Sequence, residues 1–367
     1  MDTIGQRVHQ RFSEAFPGDP QKLLAERIDM TPDALSRALR GQRAFSSLEL
    51  ARIADVLDAD LHWLITGDLD PHRLVLAARH DYDFNSGRRS VPGREGDDGV
   101  LKNLGLAYRQ AYQNAALPES GLPPTPAEVT SALGDTFVRN FADRLEQKLD
   151  VDVVRLGGLS TSYCFCIAGR RVIVVAATGS WFRENWSIAH ELGHLVERHT
   201  DRQVPPEARE AQEAQANAFA AELLLPEAEM KAMDWQDIDA AELAQRVWDL
   251  GVSTEALERR LSSLKVVRSP LVTEWAAHPT QRLLRRHWSG LHASISIDPI
   301  TQRMDEATSR RIPVGVQAAH LDLIAQGSLG KGTLAWLLGV DPDDLEVDMP
   351  TADEEVDMAE LTRVLGI

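Results

Sequence analysis

Two histidines four residues apart, with a glutamate directly after the first, stand in the stretch Asn185–His199, "NWSIAHELGHLVERH". On a helix that spacing puts His190 and His194 one turn apart on one face, so both imidazoles reach a single ion. Two such nitrogens plus one further protein ligand hold a tetrahedral zinc and leave the fourth position open for water. Glu191 then stands beside that water and can take its proton as the water attacks a carbonyl carbon. The chemistry spelled by the H-E-x-x-H pattern is metal-assisted hydrolysis.

A third protein ligand has to come from elsewhere. Where three histidines bind one zinc in a single stretch, the third follows the second by six residues, after a glycine turn. Thr200 occupies that position, and Glu197-Arg198 replace the turn. His199 is read instead as a solvated bystander at a helix C-terminus, where positive charge suits the dipole. The helical stretch "EAQEAQANAFAAELLLP" offers Glu213, with Asn217 one turn on and on the same face. A glutamate ligand on a second helix completes a site of two histidines and one carboxylate. Asn217 would hydrogen-bond the far nitrogen of a ligating histidine and fix its tautomer. Glu210 and Glu222 are the rivals to Glu213.

The elements needed to position these groups can be read from periodicity. "AEVTSALGDTFVRNFADRLEQKL" reads as one helix, followed by three strands, "VDVVRL", "SYCFCIA" and "RVIVVAA", with Ala168–Arg170 as a hairpin turn. After Pro226 the chain reads helical to about Leu264. "HASISIDP" suggests a strand near the C-terminal part, and "VQAAHLDLIAQGSLGKGTLAWLLGVDPDDLE" suggests two or three short helices. Asp83–Gly99 and Leu117–Glu128 are rich in turn formers and read as linkers around one amphipathic helix, "VLKNLGLAYRQAYQNAAL".

The two metal-site helices together resemble the ImmA/IrrE family of zinc metallopeptidases over roughly residues 130–265. "RENWSIAHELGHLVERH" followed by "EAQANAFAAELLLP" matches that family's paired helices in order and spacing, with Trp186 where a phenylalanine is usual. "LGVSTEALERRLSSL" resembles the segment that follows the site. The resemblance implies His190, His194 and Glu213 as zinc ligands, Glu191 as general base and Asn217 as support to a ligating histidine. It also implies a narrow substrate range, a repressor or antitoxin cleaved in stress or mobile-element circuits.

A second resemblance covers about residues 5–70. "KLLAERI", then "DMTPDALSRALRG" with Thr31 as N-cap and Pro32 at the first helical position, then "SSLELARIADVLD" and "LHWLITGD", is similar to the XRE (Cro/repressor-like) helix-turn-helix family. In such a motif the second helix enters the major groove. Thr31, Asp33, Ala34 and Arg37 would then lie near base edges, and Lys22, Arg40 and Arg43 near phosphates.

These readings predict a mainly α, α+β chain. Residues 1–70 form a five-helix helix-turn-helix domain, and residues 71–128 a linker with one amphipathic helix. Residues 129–265 form a zincin-like (gluzincin) peptidase domain with a small three-stranded sheet, and residues 266–367 a mixed region of no assigned role. The net charge of −17 over 367 residues excludes a protein that coats nucleic acid non-specifically, while leaving room for a local DNA-reading face. No apolar run approaches a bilayer span, and the N-terminus carries no apolar signal region, so a cytoplasmic location is expected. Cys164 and Cys166 are too few for a disulfide framework and read as two small thiols on one strand face. The expected partners are DNA, a protein substrate and a second copy of the chain, with no membrane. The alternative is a transcription factor or antitoxin whose zinc domain senses a ligand or partner and cuts nothing.

Overall fold

The computed structural model describes residues 3–57, 59, 61–67, 77–78, 81–83, 88–90, 94–112, 121–200, 206–292 and 298–347. The chain divides into two units, Met1–Arg73 and Leu74–Ile367.

In the first unit five helices enclose one small core. They are α1 (Ile4–Ala15), α2 (Gln21–Arg27), α3 (Pro32–Leu39), α4 (Ser47–Leu57) and α5 (Leu61–Thr66). Val8, Phe12, Leu24, Ile28, Leu35, Ile53, Leu57 and Leu64 meet in its centre. Asp29 adopts φ 58°, which turns the chain sharply between α2 and α3. The Thr31 hydroxyl then accepts from the Ala34 amide to start α3, with Pro32 inside the first turn. Arg7 of α1 donates to the carbonyls of Leu64 and Ile65, satisfying the end of α5 and closing the unit.

The second unit is built on a sheet of order β1-β5-β6-β4. Its strands are β1 (Ala77–Ala78), β4 (Val151–Leu156), β5 (Tyr163–Ile167) and β6 (Arg170–Ala176). A separate hairpin pairs β2 (Asp81–Asp83) with β3 (Arg88–Ser90). The three strands expected from sequence are β4, β5 and β6; β1 adds a short edge. Ala168 and Gly169, at φ 45° and 72°, make the tight turn from β5 into β6. β4 runs parallel to β6, and β5 antiparallel to it.

Both faces of this sheet are covered, and the strands alternate accordingly. Val151, Val153, Cys164, Ile173 and Val175 join one core with the metal-site helix. Val154, Leu156, Tyr163, Phe165, Val172 and Val174 face the other way, against α6 (Arg94–Ala111), α17 (Val314–Ala325) and α18 (Gly332–Leu338). The amphipathic helix expected between two linkers is thus a packing layer. α6 starts inside the stretch Asp83–Gly99, which also holds β3, and it buries Leu101, Leu104, Ala107 and Tyr108 completely or nearly so. Leu104→Ala is therefore expected to cost about 2–5 kcal/mol in a denaturant melt, the range for a large-to-small change in a closed core, and not the near-zero effect of a linker position.

The helix expected over 127–149 is interrupted. α7 (Pro126–Leu133) ends at Gly134, whose φ of 81° a side chain would disfavour. A 3-10 turn, Phe137–Asn140, follows, and α8 (Phe141–Leu149) leads into β4. Beyond α9 (Trp181–Val196) and α10 (Pro206–Leu224) come α11 (Glu227–Ala232), α12 (Ala240–Leu250), α13 (Thr254–Ser263), α14 (Pro270–Ala276), α15 (Thr280–His287) and α16 (Pro299–Thr308). The strand expected at "HASISIDP" and the acidic C-terminal stretch lie largely outside the described residues, whereas α17 and α18, between the two, are the short helices expected there. Among the described residues no helix is long and apolar enough to cross a membrane.

Candidate metal centre

α9 carries the paired histidines and is fixed at both ends. The Ser180 hydroxyl caps its start by accepting from the Arg183 amide. Arg155 of β4 forms a forked ion pair with Glu184 in the first turn, tying the helix to the sheet. Asn185 donates to the Gly251 carbonyl at 2.9 Å. Ile188, Ala189, Leu192 and Leu195 are buried in the core beneath the helix.

α10 crosses α9 in backbone contact at Gly193. A Cβ there would lie 3.1 Å from both the Ala216 Cα and the Phe219 Cβ. The missing side chain lets the axes close up, and that closeness brings Glu213, one turn before Ala216 on α10, down to the two histidines. His190 Nε2 and His194 Nε2 each lie 3.4 Å from a Glu213 carboxylate oxygen, and 3.2 Å from each other. All three side chains are buried, at 1, 2 and 3 % exposure. One ligand atom from each lies within 4.8 Å of the others, a spacing that fits a single ion among them. Two imidazole nitrogens and a carboxylate are the donor set zinc takes in open catalytic sites.

The electrostatics suit a cation. Burial raises the Glu213 carboxyl's pKa, but hydrogen bonds to His190 and His194 outweigh it and hold the group down at about 2. Glu213 is thus an anion at neutral pH, sunk in the protein between two nitrogen donors.

The far nitrogens of both rings are engaged, which decides what the near ones offer. His190 Nδ1 donates to Asn217 Oδ1 at 3.1 Å, so its Nε2 is the atom that faces Glu213. His194 Nδ1 meets His199 Nδ1 at 2.8 Å, and His199 Nε2 meets Gln215 Oε1 at 3.1 Å. The amide oxygen of Gln215 only accepts, so His199 donates from Nε2 and accepts at Nδ1. His194 therefore donates from Nδ1 to His199, and its Nε2 is the atom that faces Glu213. Burial, and then the neighbouring His194, lower the His199 pKa and favour the neutral ring this arrangement needs.

His199 is therefore not the solvated bystander expected from sequence. The helix ends at Glu197, Arg198 takes a left-handed conformation at φ 56°, and the His199 amide bonds back to the His194 carbonyl at 2.9 Å. That turn folds the His199 ring onto His194 without placing it in the ligand group. His199→Ala is expected to weaken zinc binding about 10–100-fold, the usual cost of losing a partner behind a ligand, as read by competition with a chromophoric chelator. An affinity equal to that of the unaltered chain would remove His199 from the site.

Glu191 is fully buried on the sheet side of α9. The Cys164 thiol of β5 faces its carboxylate; burial and then the Glu191 charge push that thiol's pKa well up, so it stays neutral. Sequence spacing placed the two thiols on one strand face but gave no sign of this contact, because it joins residues far apart in the chain. The rival carboxylates lie outside the group: Glu222 pairs with Arg260, and Glu210 is exposed.

In the first unit, Thr31 and Asp33 are exposed at the start of α3, Ala34 is half-buried, and Arg37 is exposed in the last turn. Arg40 is exposed and donates to the Ser36 hydroxyl and carbonyl. Arg43 forms a bidentate pair with Glu49 at 2.7 and 3.1 Å, which holds it against the start of α4. Lys22 is exposed, 3.5 Å from Glu26.

A five-helix unit whose third helix is capped by Thr31, in one chain with a domain holding a buried His-His-Glu group that could hold a metal, defines a two-part protein. Family comparison makes this specific: residues 18–64 match the helix-turn-helix family model, and residues 146–262 match the peptidase M78 family model, the IrrE N-terminal-like domain. The chain therefore carries an N-terminal helix-turn-helix fused to an IrrE-like domain, and the metal centre falls within the second match. Searches of curated proteins and of solved structures return no match.

Proposed function

We propose that this chain is a DNA-binding regulator whose second unit is a zinc-dependent endopeptidase acting on a specific regulatory protein. The observation that carries this reading is the buried His190–His194–Glu213 group, with the Glu191 carboxylate one residue from the first ligand on the same helix. A zinc ion held there supplies Lewis acidity toward a carbonyl oxygen and makes water acidic enough to attack at neutral pH.

The chain's own residues do the rest. Glu191 accepts the proton of the attacking water and returns it to the departing amide nitrogen. Asn217 and His199 hold the ligand rings in the tautomer that offers Nε2. The buried walls of α9 and α10 keep bulk water from Glu213 and so strengthen its attraction for a cation. The substrate class is a repressor or antitoxin, and the direct test is to mix the purified chain with such a protein encoded beside it. Cleavage is expected with zinc and none after chelation; persistence in excess chelator would refute the metal-dependent reading.

The first unit supplies the address on DNA. Arg37 is exposed on α3, and among the described residues no carboxylate pairs with it, whereas Arg43 is bound to Glu49. Arg37 thus becomes the base-reading residue, and Arg43 a support for the α3–α4 turn. Arg37→Ala is expected to weaken operator binding by about 1–3 kcal/mol in a mobility-shift titration. Thr31, Asp33 and Ala34 belong to the same groove-facing end, with Lys22 and Arg40 on the phosphates. Two copies on a two-fold symmetric operator would account for a homodimer.

A further inference from the structure

The first turn of α9 forms one wall of a second cavity, of about 210 Å³, which the metal group does not use. The Phe137–Asn140 turn, the start of α8, β4 and α16 supply the other walls. Arg139, Arg155, Arg303 and Arg311 all line it. Asp143 and Glu306 are exposed at its rim with Arg139, and Trp181 and Asn185 are buried at its base.

The four arginines are not equally engaged. Arg155 gives two nitrogens to Glu184 and the third to the carbonyls of Glu306 and Ser309. Arg311 gives its terminal nitrogens to Asp143, Glu146 and the Val153 carbonyl. Arg139 gives one terminal nitrogen to Asp249 at 2.7 Å. Arg303 makes no hydrogen bond and no ion pair among the described residues; its guanidinium lies over the Trp248 ring, 4.7 Å from the centroid. The carboxylates that line the cavity are already engaged: Glu184 by Arg155, Asp143 by Arg311, and Glu306 by the Gln302 amide at 2.9 Å. Burial, and then the like charge of Arg139, lower the Arg303 pKa, but a guanidinium stays charged in a folded protein. The two cations therefore face one space with nothing negative held between them.

A neutral donor shares that space. Trp181 is 5 % exposed, and its indole Nε1–H is buried without an acceptor among the described residues. Buried donors are nearly always paired. Donors from three side chains around one cavity call for an acceptor with oxygens on several sides. A tetrahedral oxyanion offers that, and guanidinium forks match its edges; a planar carboxylate offers two oxygens only. The volume equals about seven waters at ~30 Å³ each, enough for such an ion. It is below the roughly 300–1,000 Å³ of pockets that enclose larger organic ligands.

We propose that this cavity is a binding site for a tetrahedral oxyanion, inorganic phosphate or the phosphate of a small monoester, held by Arg303, Arg139 and the Trp181 indole N–H. The bound anion would tie the start of α9, the helix that carries His190 and His194, to α16 and to the Phe137–Asn140 turn.

Calorimetric titration of the full chain with phosphate, at ionic strength fixed with chloride, tests this. Saturable binding at one site per chain is expected. Arg303→Gln should weaken it about 10–100-fold, the range for a lost hydrogen bond to a charged group. Arg286→Gln, an exposed arginine outside the cavity, should leave it unchanged. The indole N–H resonance of Trp181, identified by its loss in Trp181→Phe, should shift in step with the heat. Thermal melts in phosphate-free buffer show whether Arg303→Gln folds; if it does not, Arg139→Gln on the exposed rim makes the same comparison. Glycerol phosphate run beside inorganic phosphate separates the two sources, the tighter binder naming the ligand. Absence of saturable binding, full binding by the arginine variant, or a Trp181 resonance that stays in place overturns the proposal. None of these readouts uses cleavage, so the site stands or falls apart from the peptidase reading.

Discussion

Glu213→Ala is expected to strip the metal centre. The substitution removes the carboxylate from the buried group and leaves two imidazole nitrogens 3.2 Å apart with no anion facing them. Zinc binding of about 10–16 kcal/mol shared among four ligands gives about 2.5–4 kcal/mol for each, so affinity should fall about 10²–10³-fold. Chelator competition on the purified variant measures this, and Glu213→Gln, of the same size, separates lost charge from lost packing. Unchanged stoichiometry and affinity in both variants would transfer the ligand role to Glu210 or His199. The expected loss is large because Glu213 is the one negative charge among the three side chains, held ionised by its two histidine partners against its burial.

Glu191→Gln should separate binding from chemistry. The amide keeps the size of the carboxylate but cannot accept a proton, so the metal should stay bound while cleavage of the protein substrate falls about 10²–10⁴-fold. Metal content measured on the same preparation is the control. Retained zinc with undiminished cleavage would exclude Glu191 as the base. Retained zinc with unaltered DNA-binding behaviour, from a chain that never cleaved, would favour a sensing domain. Glu191 faces the neutral Cys164 thiol on its sheet side, so Cys164→Ser tests whether that neighbour matters. A hydroxyl there should change the pH dependence of cleavage more than metal affinity.

Local pattern made a good part of this protein legible. The i, i+4 histidines had to share a helix face, Thr31-Pro32 had to start a helix, and the alternating apolar residues of 151–176 had to form strands. Glu213 was reachable because the second helix has its own periodicity and a polar residue one turn on. His199 was misread because its position depends on a left-handed Arg198. No spacing rule anticipates a ring folded back by a helix-terminating turn. α6 was misread because the turn formers around it look the same whether a helix bridges two domains or covers a sheet. Only the meeting of Leu101, Leu104 and Tyr108 with Phe165 and Val174 decides between these.

The sequence by itself determined the chemistry available: two imidazoles and a carboxylate on paired helices, a second carboxylate next to the first imidazole, and a capped helix-turn-helix at the other end of the chain. These follow from residue type and from periods of two and 3.6, which act over a few residues. The tertiary structure decided the rest: the backbone contact at Gly193 that closes the metal group, the hydrogen bonds that set the tautomers of His190 and His194, the thiol against Glu191, and the arginine-lined cavity at the start of α9. Each joins segments separated by tens of residues or more, or depends on a turn that ends an element. Their geometry is fixed only when the two sheet faces are covered and the helices have nowhere else to pack.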